Sequence, residues 1–481
     1  MAFLDVIFSL LTVKSVLVGL AALFIATWFY RRPRNLPPGP TGWPLLGYLP
    51  NLISAGDEYK NLTRLAKTYG PVFSMNLGGT LVVVVNSFAS IKEALSHPNT
   101  GYAAFFHLFL LQLGVVNSSG DSWSQQRKFC LSVLRGLGVW RSSFEDAIAT
   151  EAGCLINGIK EHEGNPFNPA HLLGNAVSNV ICSVTLGKRF DYSDPKFQQL
   201  LKLMNRNFEL NKGGQVYLVL PIMDYLSFMS DFKEMKSNVH LILECLRENV
   251  EELTPRQCRY THVNETKNTR SYITIDNMLL TSLDLFAAGT ETSSTTLRWA
   301  LLYMMAYPEA QTKIQQEIDE IVGRNRLPRL ADKPQLPYTE ATILEVQRLA
   351  SIVAVNLPHR FSEDTSLLGY DIPKGTMLIA NLWAVSRDPS IWSDPNKFNP
   401  ERFLDEAGSL KPREEHLPFS TGRRVCLGEQ LAKMELFIFF SHLLHQFSFK
   451  KLDDSQPLSF EATNGLTLAP IPFEVCAIPR E

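Results

Sequence analysis

Two stretches of the 481-residue chain stand out by the spacing of their hydrophobic and polar positions, one at the N-terminus and one past the middle. Ser15 to Tyr30 is uncharged and mostly apolar, and as a helix its sixteen residues reach about 24 Å. A bilayer's hydrocarbon core is roughly 30 Å thick, so this run alone falls short. Extension back through Val6 to Val13 supplies the missing length and takes in Lys14. A lysine costs about 3 kcal/mol at the centre of a span and less near an end. Asp5 precedes the run, and Arg31, Arg32 and Arg34 follow it, which keeps the C-terminal flank cytosolic. A cleaved signal peptide has the opposite polarity, and a mitochondrial presequence is Arg- and Ser-rich. The pattern predicts a membrane signal anchor over residues 1–30. Residues 31–50 form a basic and proline-rich hinge, because Leu36-Pro37-Pro38-Gly39-Pro40 through Pro44 is stiff and cannot continue a helix.

Met278 to Tyr307 predicts a helix of about 45 Å, closed by Pro308 and long enough to cross a large domain. Asp284, Glu291 and Arg298 exclude it as a membrane span. A second helix is predicted over Leu427 to Phe440. Trp123 and Arg127 fall one turn apart on another, and Glu345 and Arg348 share a face of a fourth. Glu251 to Tyr272 is polar and aperiodic. No repeat or central low-complexity linker divides the chain, so residues 51–481 read as one domain.

A formal net charge of −2 gives no general case for binding nucleic acid. The seven cysteines are scattered, odd in number and without a C-x-x-C pair, which points to a reducing compartment rather than a disulfide framework or zinc site. The sequon Asn264-Glu-Thr266 would go unmodified on a cytosolic domain.

The strongest chemical signal is Phe419-Ser-Thr-Gly422-Arg-Arg424-Val-Cys426-Leu-Gly428. Two glycines let the backbone turn tightly around a sulfur and let a flat ligand lie close. The helix that follows places Cys426 at a positive dipole end, which favours a thiolate. Arg424 is placed to pair with an anionic ligand group. Within the long predicted helix, Ala288-Gly289-Thr290-Glu291-Thr292 puts a glycine and an acid where both cost stability, the mark of a ligand approach or a proton path. The hydroxyls of Ser293 to Thr296 read in part as a solvated polar face.

Together these motifs resemble the cytochrome P-450 superfamily, and Asn175-to-Ser183 with Gly187-to-Tyr192 resembles its animal microsomal family two. The resemblance runs from the hinge to the last residues. It implies a mainly α fold with a small β-rich lobe behind the single anchor helix. It implies haem b with its iron ligated by Cys426, and a haem clamp of Trp123, Arg127, His359 and Arg424. Glu291 and Thr292 would hold a water and relay protons in oxygen activation. Glu345, Arg348 and Arg402 would form a structural network behind the thiolate loop. The implied activity is a haem-thiolate monooxygenase inserting one oxygen atom of O2 into a lipophilic substrate (fatty acid, steroid or xenobiotic). The partners would be an NADPH-dependent flavoprotein reductase, cytochrome b5 and membrane lipid, at the cytosolic face of the endoplasmic reticulum. The chain has no dinucleotide fingerprint of its own. Lys128, Arg135, Arg413, Arg423 and Lys433 would supply a basic docking face. Phe105, Phe106, Leu108, Ala287, Val353, Val355 and Leu466 would line the substrate pocket. Two departures stand out. Tyr102 follows Gly101 where many relatives have arginine, and Pro255-Arg256-Gln257 replaces a Pro-Arg-Asp helix start. The alternatives are a haem-thiolate isomerase of peroxides, which needs no proton relay, and a haem-binding protein without turnover.

Overall fold

The computed structural model describes residues 35–102, 113–138, 144–210, 230–253, 272–453, 455 and 457–481, with Ser15, Val18 and Gly19. Nearly all of the expected anchor, the arginines after it, Phe105, Phe106 and Leu108, and most of the polar stretch 251–272 lie outside the described residues. Among the described residues, no helix is long and apolar enough to cross a membrane.

In chain order the helices are α1 (Leu49–Ser54), α2 (Glu58–Tyr69), α3 (Phe88–Ser96), α4 (Gly120–Gly136), α5 (Glu145–Lys160), α6 (Ala170–Thr185), α7 (Pro195–Leu210), α8 (Ser230–Leu253), α9 (Ile275–Ala306), α10 (Pro308–Ile321), α11 (Pro337–Ala350), α12 (Leu382–Ser386) and α13 (Glu429–Gln446). The strands are short: β1 (Val72–Leu77), β2 (Thr80–Val85), β3 (Thr100–Tyr102), β4 (His359–Phe361), β5 (Thr365–Leu367), β6 (Tyr370–Ile372), β7 (Met377–Ala380), β8 (Phe447–Lys450), β9 (Ala462–Thr463), β10 (Ala469–Pro470) and β11 (Cys476–Pro479). The fold is mainly helical, and the described residues form one five-stranded sheet in the order β1-β2-β7-β4-β3 and three two-stranded sheets. Within the larger sheet β2 and β7 run parallel, and the other pairs are antiparallel. This sheet packs a separate apolar cluster around Phe73, Val82, Val84 and Ile379, apart from the main helical core.

The long helix α9 is the axis of that core. It starts where the Thr274 side chain accepts the Asn277 amide, an N-cap the apolar pattern alone did not reveal. It ends because Tyr307 precedes Pro308 and is held out of the helical region, φ −129° and ψ 71°. Most of its faces are covered, by α6, α8, α11 and α13 among others. Ser293, Ser294, Thr295 and Thr296 are all buried, contrary to the expected solvated face. Their hydroxyls donate within the protein: Ser294 to the Thr290 carbonyl, Thr296 to the Thr292 carbonyl, and Ser293 to Glu435. Helix α13 runs past the expected end at Phe440 to Gln446. Ser441, His442 and His445 look like a polar stop, yet they are buried. The two imidazoles bond the carbonyls of Pro328 and Gly323 at 2.8 and 2.9 Å.

Behind the thiolate loop, Glu345 and Arg348 form a fully buried pair rather than a surface one. Arg348 donates to both Glu345 oxygens at 2.7 and 2.8 Å, and to the carbonyls of Ser386 and Pro395. Arg402 and the Asn399 amide complete the carboxylate at 3.0 and 2.9 Å. Removing one partner strands a buried charge, a loss of about 3–5 kcal/mol. Glu345→Leu is expected to lower the urea midpoint sharply, and a variant with an unchanged midpoint would show that the network carries no stability.

Candidate active site

The loop from Phe419 to Gly428 is a closed unit. The Cys426 amide donates to the Phe419 carbonyl at 3.0 Å, and the Val425 amide to Gly422 at 3.2 Å. Gly422 adopts φ +82°, and a Cβ there would lie 2.3 Å from the Leu95 carbonyl oxygen. Its need for glycine is close backbone packing against the end of α3, not ligand approach. Gly428, the N-cap of α13, has open space where its Cβ would be, and it lines the cavity described below. Cys426 is exposed, but onto the wall of that internal cavity. Burial pushes its thiol up from the ordinary range, outweighing the Gly428 amide and the Arg127 charge that favour the thiolate.

Arg127, from α4, donates to the Val425 carbonyl at 2.8 Å and has no acidic partner among the described residues. Arg424 donates to the Ser118 carbonyl at 2.9 Å and stacks 4.0 Å from the centre of the Trp123 ring. Trp123, Arg127 and Arg424 thus meet on the cavity wall near the thiol. His359 is not on the wall formed by the described residues. It sits in β4 beside Tyr102, buried, with Nδ1 2.8 Å from the Leu357 carbonyl. Burial, aided by Arg424, pushes its imidazole down to about 4, so it is neutral, and Nδ1 donates.

On α9, Thr292 lines the cavity and donates back to the Ala288 carbonyl at 2.7 Å. Glu291 accepts from Thr467 at 2.9 Å and from Thr295 at 3.1 Å. Burial pushes Glu291 up, while those two hydroxyls and the Arg298 charge oppose the shift. Gly289 is explained by packing, since a Cβ would lie 2.4 Å from Ile181 Cδ1 on α6. The glycine lets the helices approach rather than only admitting a ligand.

The cavity has a volume of about 480 Å³, within the range of small-molecule sites. Of the expected pocket residues, Ala287, Val353 and Leu466 line it. Val355 does not: it is buried in the core cluster under the sheet and bridges Asn381. Met204, Phe208 and Val239, from α7 and α8, line the cavity and carried no sequence signal. Asp284 was noted in the sequence only as a break in apolarity. It accepts the amides of Val115 and Val116 at 2.8 and 2.9 Å and so pins that segment against α9. Gly114 adopts φ +74°, and a Cβ there would lie 2.4 Å from Asp284 Oδ2. Burial pushes the Asp284 carboxyl up to about 7.

A thiol on the wall, a backbone left open at Gly428, and guanidinium and indole donors beside them suit a flat, carboxylate-bearing iron macrocycle. These features define a haem-thiolate enzyme. The chain belongs to the cytochrome P450 family: the family model "Cytochrome P450" matches residues 37–477. Among curated relatives it is similar to cytochrome P450 2J2 of Homo sapiens, 41% identical over 97% of this chain and 96% of that protein. It is similar to cytochrome P450 2J5 of Mus musculus at 42%, over 94% and 92% respectively. Cytochrome P450 2U1 of Homo sapiens is 40% identical, over 95% and 92%. The protein is accordingly an oxidoreductase, a monooxygenase of the type that carries haem b on a cysteine thiolate.

Proposed function

We propose that this chain is an endoplasmic-reticulum monooxygenase of lipophilic molecules in which Cys426 holds the haem iron. The observation that carries the reading is one cavity whose wall includes both the Cys426 thiol and Thr292 of α9. When bound there, haem b activates dioxygen so that one atom enters the substrate and the other leaves as water. Trp123, Arg127 and Arg424 hold its carboxylates, with His359 behind them. Thr292 and Glu291 hold a water and pass protons toward the oxygen. The mainly apolar wall, Ala287, Val353 and Leu466 included, orients a fatty acid, steroid or xenobiotic.

Electrons come from NADPH through a separate flavoprotein reductase, with cytochrome b5 as a second donor. Lys128, Arg135 and Arg423 are exposed and support such docking. Arg413 and Lys433 are half-buried; Lys433 pairs with Glu429 at 2.7 Å and contributes less. The deciding experiment is a panel of lipid and drug-like compounds given to the enzyme with reductase and NADPH. Oxygenated, NADPH-dependent product supports the reading. Rearranged peroxides without NADPH would favour an isomerase, and no turnover a binding protein.

Residues 1–30 anchor the chain, residues 31–50 act as a hinge, and residues 51–481 form the catalytic domain on the cytosolic side. Trp43, Leu45, Leu46 and Ile53 are exposed apolar side chains close after the anchor, which supports a membrane surface there. The full-length protein is expected to stay in membranes through a carbonate wash while its domain remains open to cytosolic protease. Protection of the domain inside sealed microsomes would reverse the topology.

A further inference from the structure

The acid of the proposed relay is held from outside its own helix. Thr467 lies in the turn between β9 and β10, and its buried hydroxyl donates to Glu291 Oε1 at 2.9 Å. The turn and the strand β10 that follows it are fastened to α9 at two further points. Trp299 Nε1 donates to the Leu468 carbonyl at 2.8 Å, and Arg298 donates to the Pro470 carbonyl at 2.9 Å. The Leu468 amide in turn donates to the Ile352 carbonyl at 2.8 Å. A hydroxyl fixed on so rigid a support selects one rotamer of the carboxylate it bonds. Leu466 and Thr467 both line the cavity, so this support is also part of the substrate wall.

We propose that Thr467 is a positioning residue for oxygen activation: from the substrate wall it fixes the Glu291 carboxylate in place and favours its ionised form. The proposal rests on the relay reading of Glu291 and Thr292. A donor to the charged form of a buried acid lowers its proton affinity, and burial makes the bond count for more. Glu291 meets that description, since burial raises its proton affinity and Thr467 is the first of the groups opposing the rise. The charged group acting on Glu291 is Arg298, on its own helix. Residues 462–470 carry no charge. On the packed helices, Glu345 and Arg348 of α11 bond each other, Glu435 of α13 accepts from Ser293, and His171 of α6 bonds Gln198. Arg247 of α8 pairs with Asp276 at the far end of α9.

The test is an infrared titration of the haem-loaded, full-length enzyme, with the Glu291 carboxyl band identified by its absence in Glu291→Gln. In Thr467→Val the midpoint of that band is expected to rise by about one pH unit, since one of two hydroxyl donors is lost. Thr467→Ser, which keeps the donor, should titrate as the wild type. Thr467→Ala carries the same expectation as valine and serves if the valine variant does not assemble. An unmoved midpoint in the hydroxyl-less variants, or a serine variant that shifts with them, overturns the positioning role whatever the relay does. A moved midpoint with full coupling of NADPH to product in Glu291→Gln overturns instead the relay reading on which it rests.

Discussion

Cys426→Ala is expected to abolish the red-shifted Soret band of the reduced, carbon-monoxide-bound protein, and NADPH-dependent product with it. The reasoning is positional. Among the described residues, Cys426 is the cysteine on the cavity wall. Cys130 and Cys182 are buried in the protein, and burial pushes both thiols up, Cys130 to about 11. A thiolate donates electron density that favours O–O cleavage, and no other side chain near the loop supplies it. The Cys426 sulfur meets the Gly428 amide within its own loop, and the loop is held by backbone hydrogen bonds, by Gly422 packing and by Arg127. Helical content should therefore survive the substitution. Cys426→His separates holding the iron from donating charge: haem is expected to be retained while the band and the product are lost. A thiolate band that persists in Cys426→Ala would move the assignment to another sulfur.

The parts of the site legible in the sequence are those written locally. The thiolate loop fixes five positions within ten residues, and each has a backbone or charge reason to be there. The pair at Glu345 and Arg348 was visible because helix neighbours are three residues apart. Its burial was not visible, since Asn399 and Arg402 reach the same carboxylate from more than fifty positions away. The long helix was legible as a helix from its apolar run and Pro308, with its start displaced because Thr274 caps it from outside the apolar pattern.

What stayed hidden depends on contacts between distant segments. Gly289 reads as a ligand approach until Ile181 is seen against it. Asp284 gains its role only when Val115 and Val116 present their amides to it. The run Ser293 to Thr296 has the composition of a solvated face, and only the packing of neighbouring elements against that part of α9 turns it inward. The setting of Cys426 follows the same rule: burial raises its thiol pKa, while Arg127, reaching in from α4, opposes the rise.

Thr292→Ala is expected to leave haem content and substrate binding close to normal while diverting electrons from product to hydrogen peroxide. The hydroxyl bonds back to the Ala288 carbonyl and holds no other element of the fold, and alanine is the better helix former. The loss should therefore appear in chemistry rather than in stability. Thr292 lies on the cavity wall beside Glu291, whose carboxylate is held by Thr467 and Thr295. On the proposed relay, losing the Thr292 hydroxyl would remove one anchor of a water beside Glu291 and slow proton delivery. Removing one proton-transfer group typically costs about 10²–10⁴-fold where that transfer limits the rate. NADPH consumption should continue, with product per NADPH reduced and hydrogen peroxide raised. Thr292→Ser, which restores a hydroxyl at the same position, should recover most of the coupling. Equal coupling in wild type and Thr292→Ala would remove Thr292 from the relay and return the isomerase reading to consideration.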